Sequence, residues 1–172
     1  MKLTTKQLTL CAVLTAMALA LSYLENLFPL SLAIPIPGIK LGLANIVTVF
    51  ALYALGPEQA LLILIGRCLL GAVFAGNFST IFYSAAGGTL AILTTIGLKF
   101  ILQKKQLWIA GILGAIAHSI GQMAMAVTLL ETPGLVAYLP IMIVASIVSG
   151  TFTGLCAQFL VNRGNLWKIT ST

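Results

Sequence analysis

Apolar runs near twenty residues long, separated by proline, glycine and lysine, constrain this chain more than any other feature. A helix rises about 1.5 Å per residue, so roughly 20 residues cover a bilayer hydrocarbon core of about 30 Å. Such runs occupy residues 8–28, 57–75, 80–102, 107–130 and 138–161, with a shorter one at 42–55. Only 7% of the residues are charged and 60% are hydrophobic, against about 25% charged in an ordinary soluble domain. A chain of this kind has too little polar surface to face water. It is expected to be all-α and integral to the cell membrane, a single multi-pass domain over residues 1–172 with six transmembrane helices.

The breaks between runs carry their own chemistry. Pro29, Pro35, Pro37 and Gly38 exclude a regular helix over 29–41 and predict the longest loop. Gly56-Pro57-Glu58 turns the chain, with Pro and Glu suited to a first helical turn. Residues 76–80 form a tight turn, Lys104-Lys105 ends the fourth helix, and Glu131-Thr132-Pro133-Gly134 breaks the chain again. Ala18-Leu19-Ala20 resembles a signal cleavage site, but the first run is longer than a secretory apolar region and is expected to stay as a helix. With the N-terminus inside, Lys2, Lys6, Lys99, Lys104, Lys105, Arg163 and Lys168 fall on the cytoplasmic side and Lys40 alone outside. Cytoplasmic loops carry the excess of lysine and arginine, so both termini are expected in the cytoplasm.

Composition also removes several function classes. Aspartate is absent and the only acids are Glu25, Glu58 and Glu131, which leaves little for paired-carboxylate or carboxylate-held Mg²⁺ chemistry. No His, Cys or carboxylate cluster has metal-ligand spacing, and no nucleophile has an adjacent base. An enzyme is not expected, nor a cofactor. Cys11, Cys68 and Cys156 lie inside apolar runs and read as packing residues. The net charge of +6 flanks the apolar runs, so it reports topology and a lipid partner rather than nucleic acid.

The polar residues that remain inside the runs are the candidates for function. Arg67 sits near the middle of the third helix, where a charge costs at least roughly 2.5–3.5 kcal/mol. Glu58 is over two turns away and Glu25 and Glu131 lie near the outer ends of other helices, so a ligand anion is an alternative to a structural pair. His118 and Gln122 share a helix face with the small Ala110, Gly114 and Ala126, which fits either a cavity or a contact to a neighbouring helix. With the N-terminus inside, Lys40, Asn45, Asn77 and Tyr83 fall in the outer third, above Arg67, His118 and Gln122. A solute pocket in the outer half, beneath the Pro-rich loop, accounts for that convergence. Two cations without a committed acid favour an anionic or electron-rich solute. Ala12, Ala16 and Ala20 recur every four residues and make a smooth strip on helix one, suited to packing inside the bundle or to another protein. Gly87-Gly88 and Gly150-xxx-Gly154 read as packing.

The stretch from Gly38 through Lys40, Gly42 and Asn45 to Ile46, then Leu55-Gly56-Pro57, Arg67, Gly76-Asn77 and residues 83–88, resembles the Gx transporter family, also labelled heptaprenyl diphosphate synthase component I. That family is similar to the substrate-binding S components of energy-coupling factor (ECF) importers. The resemblance implies an S-component-like bundle that binds a small anionic or vitamin-like solute, a flavin-like one among the candidates. It further implies that Ala12, Ala16 and Ala20 dock on a membrane coupling subunit, with an ATPase pair supplying energy. No Walker pattern is present in the chain itself. The synthase label implies a different role. Prenyl diphosphate synthases hold Mg²⁺ on Asp-rich motifs, and a chain without aspartate would serve such an enzyme only as a noncatalytic membrane accessory subunit.

Overall fold

Six α-helices and one 3-10 turn make up the computed structural model, which describes residues 4–27, 42–102 and 106–163. They are α1 (Thr5–Leu27), α2 (Asn45–Ala54), α3 (Pro57–Ala75), α4 (Ser79–Lys99), α5 (Leu107–Leu130) and α6 (Leu139–Arg163), with the 3-10 turn Pro133–Tyr138 between the last two. The ends follow the punctuation in the sequence. Gly56, at φ 124°, separates α2 from α3, and Pro57 opens α3 where its missing N–H costs nothing. Gly76, at φ 62°, ends α3 in the left-handed conformation, and the Asn77 N–H donates back to the Ala72 carbonyl in a Schellman-type turn. Glu131 takes a left-handed φ of 50° at the end of α5.

Among the described residues, five segments are long and apolar enough to cross a membrane: Thr5–Glu25, Pro57–Ala75, Ser79–Lys99, Leu107–Leu130 and Pro133–Asn162. The sixth helix of the expected six differs. α2 has 10 residues, a length of about 15 Å, half of a hydrocarbon core. Its start is held back by Gly42 at φ 86° and by short-range turns from Gly42 to Ala44. Eight of its residues are buried, and it packs against each of the other five helices. The bundle is therefore built around a short central helix. The others leave large apolar side chains exposed, among them Met17, Leu93, Ile120 and Phe152, while α2 leaves none. That distribution suits a lipid surround, in which helix association relies on close packing rather than on hiding apolar surface.

Small residues set the helix crossings. A Cβ on Gly111 would come within 2.5 Å of the Gly154 Cα, and one on Gly154 within 2.7 Å of the Trp108 Cα, so α5 and α6 touch backbone to backbone. A Cβ on Gly121 would meet the Ala86 carbonyl at 2.7 Å, which gives α4 and α5 the same intimacy. Gly150, Gly154 and Gly87 thus serve packing, as their spacing implies. Ser119 Oγ and Ser146 Oγ, both buried, add a 2.6 Å hydrogen bond between α5 and α6. α1 and α3 run in the same direction: Thr15 lies against Gly66 and Leu19 against Gly71. At the far end of α4, the Lys99 ammonium donates to the Leu52 carbonyl (3.3 Å) and lies over the Tyr53 ring, a cation at the C-terminus of α2.

Candidate functional site

A polar cavity opens where the C-terminal half of α1, the middle of α3, the start of α4, the middle of α5 and the entry to α2 converge. Ser22 and Glu25 come from α1, Arg67, Cys68, Gly71 and Ala72 from α3, Thr80 and Ser84 from α4, His118 and Gln122 from α5, and Gly42 from the turn before α2. Glu25, Arg67, Thr80, His118 and Gln122 are all buried. Polar groups this deep in an apolar bundle are expensive unless they are paired or serve a ligand.

Two glycines make the space. Gly88 faces Arg67: a Cβ there would overlap the Leu64 side chain and stand 3.2 Å from the Arg67 Nη2. Gly87 faces α5, where a Cβ would sit 2.9 Å from the His118 Nδ1 and 2.8 Å from the Gln122 Cγ. Gly42 rests on the imidazole edge, 3.3 Å from His118 Cδ2 at the position of its absent Cβ. The α4 pair Gly87-Gly88 therefore does more than pack helices. It leaves room for the guanidinium and the imidazole side by side.

Electrostatics centre on Arg67 and Glu25. Arg67 Nε and Nη2 have no hydrogen-bond partner among the described residues, although they are buried. Glu25 acts on Arg67 by Coulombic attraction across the same cavity, and its Oε1 accepts a 3.0 Å hydrogen bond from the Leu43 N–H. His118 Nδ1 lies beside the Gly87 backbone without a hydrogen bond of good geometry. The cavity thus holds both signs of charge with amide, hydroxyl and imidazole groups between them. Among the described residues no three His, Cys, Asp or Glu side chains gather as metal ligands.

Of the residues singled out from the sequence, Arg67, His118 and Gln122 come together in the lining. Three others do not join them. Asn45 packs towards α5, its Nδ2 3.5 Å from where a Gly114 Cβ would stand. Asn77 is consumed by its own turn: its Oδ1 accepts from the Ser79 N–H (2.9 Å) and its carbonyl from the Thr80 hydroxyl (2.7 Å), which starts α4. Tyr83 is buried against Met123, Ala126 and Met142. Lys40 and the Pro-rich stretch lie outside the described residues. Ala12, Ala16 and Ala20 are all exposed on one side of α1.

Glu25 is the residue that sequence reasoning missed. Placed at an outer helix end, it was not expected to share a cavity with Arg67, and the premise of cations without an acid needs correcting. The cause is tertiary: α1 and α3 lie parallel and adjacent, so one wall carries Glu25 and the next Arg67. Ser22, Thr80 and Ser84 carried no sequence signal, since hydroxyls are common in membrane helices.

Neither a curated protein nor a solved structure matches this chain. The family model described as heptaprenyl diphosphate synthase component I matches it over residues 14–160, a span that includes the cavity-lining residues of all five elements. The chain belongs to the heptaprenyl diphosphate synthase component I family.

Proposed function

We propose that this chain is the solute-binding membrane subunit of an ECF-type importer, a single six-crossing domain of the cell membrane with both termini cytoplasmic and no catalytic role. Arg67 carries the reading. A guanidinium buried in mid-helix, with Nε and Nη2 lacking partners among the described residues, fits a site completed by an anionic group of a ligand. His118 and Gln122 beside it supply neutral contacts, and Glu25 favours a solute that also presents a donor. A small anionic or vitamin-like molecule, with a flavin-like one as candidate, meets both demands.

The alternating helix directions support an even number of crossings, with α1 parallel to α3 and α5 antiparallel to α4 and α6. In this reading the exposed Ala12, Ala16 and Ala20 receive a membrane coupling subunit, and an ATPase pair drives transport. Mass spectrometry of small molecules retained by the purified protein identifies the solute. Proteoliposomes with and without the ATPase module test the mechanism; uptake by the chain alone would replace this reading with that of an independent carrier.

A second reading has one observation in its favour, the family description itself. In it the chain is a noncatalytic accessory subunit of an isoprenoid-forming enzyme. Stable copurification with a soluble prenyltransferase, and a change in that enzyme's rate, would favour it.

A further inference from the structure

The polar cavity has a volume of ≈ 20 Å³, room for about one water molecule. No carboxylate or phosphate group of a solute enters such a space, so the site as it stands is contracted. The anion already there is the protein's own. The buried Glu25 lines the cavity with Arg67, attracts it across the gap, and accepts the Leu43 N–H at the entry of α2. An anionic ligand would seek the same two partners, a guanidinium and an N–H at the start of a helix, where the dipole is positive.

The walls differ in how freely they can give way. α4 and α5 touch backbone to backbone at Gly87 and Gly121, and α1 lies on α3 at Gly66 and Gly71. The entry of α2 is looser. The N–H groups of Asn45, Ile46 and Val47 donate to the carbonyls of Gly42, Leu43 and Ala44, the tighter 3-10 pattern that often marks a hinge. Gly42, at φ 86°, rests on the His118 imidazole. What ties this turn to α1 is the hydrogen bond from Leu43 to Glu25. The carboxylate therefore holds the turn against the cavity.

We infer that Glu25 is an internal stand-in for the ligand's anionic group, an autoinhibitory contact that keeps the site contracted until a ligand anion displaces it. This rests on the reading of the cavity as a ligand site and adds how that site is kept shut. The incoming anion takes Arg67 and the Leu43 N–H, and Glu25, near the end of α1, turns away. The turn at 42–47 then lifts from His118 and the cavity widens.

The test uses the full chain with Cys11→Ser and Cys156→Ser, so that Cys68, in the cavity wall, is the one thiol left. N-ethylmaleimide is larger than the contracted cavity, and its reaction with Cys68 should be slow. Glu25→Ala should speed it about tenfold or more, the size of a lost hydrogen bond to a charged group. Acetate, which supplies the missing carboxylate, should return this variant towards the slow rate and raise its thermal midpoint. Acetamide and chloride at equal concentration should do neither, and the parent chain should ignore all three. Arg67→Gln added to Glu25→Ala should abolish the rescue. If Glu25→Ala folds only in acetate, that dependence is itself the rescue. Rescue by acetamide or chloride as strong as by acetate would overturn the inference, as would no rescue at all. Equal labelling with and without Glu25, or labelling of the parent chain at the rate of the denatured protein, would overturn it too. Solute retention by the wild type is read separately, so failure here leaves a solute-binding subunit in place.

Discussion

The Leu43 amide donates to the Glu25 carboxylate over 3.0 Å, joining the last turns of α1 to the entry of α2. These residues are 18 apart in sequence. One carboxylate thus fixes the start of the central helix and forms part of the cavity wall. Position and charge come from the same group.

Replacing Glu25 with alanine is expected to cost about 1.5–3 kcal/mol, the range for a hydrogen bond to a charged group. Amide hydrogen exchange should accelerate at residues 43–47 more than in α5. Exchange that rises uniformly, or not at all, would deny Glu25 this role.

Arg67→Gln should weaken binding of the native ligand about tenfold or more, through loss of a charge-assisted contact. Its unfolding midpoint should fall, because the buried Glu25 carboxylate loses the opposite charge across the cavity. Calorimetry and thermal unfolding on the same preparation separate the two effects; a fall in stability with wild-type affinity would make Arg67 structural.

The helix crossings give a paired prediction. Gly154→Ala places a methyl within 2.7 Å of the Trp108 backbone and should destabilise by about 1–3 kcal/mol. Gly97→Ala, exposed on α4 with nothing within 4 Å, should stabilise by about 0.4–1 kcal/mol. Denaturant titration in mixed micelles reads both.

Ala16→Phe adds bulk to the exposed side of α1, away from the cavity. Copurification with a coupling subunit should be lost while ligand retention by the isolated chain stays at the wild-type level. Assembly that proceeds unchanged would remove the docking role from this strip.

Helix ends were legible because glycine and proline act locally: Gly56, Pro57 and Gly76 stop and start helices whatever surrounds them. Arg67, His118 and Gln122 were legible because polar residues inside apolar runs stand out against their cost. Position along each helix was readable, but position without azimuth misplaced three residues. Asn77 spends its side chain on its own turn, Tyr83 rotates into an apolar cluster, and Asn45 faces α5. Glu25 went unread because its partner wall depends on which helices are neighbours, a choice made by small residues at several crossings at once. The short length of α2 was visible; its place at the centre was not.

That place bears on how the protein is made. A ten-residue helix offers a membrane insertion machine too little hydrocarbon-matching length to be released into lipid as a separate span. α2 has to be held back, or carried in together with α3, until its five neighbours can close around it. The element on which the whole bundle rests is then the last to find its position. Truncated chains lacking α6 should therefore leave α2 accessible to water-soluble thiol reagents at an engineered cysteine, and become protected only once the final helix has been synthesised.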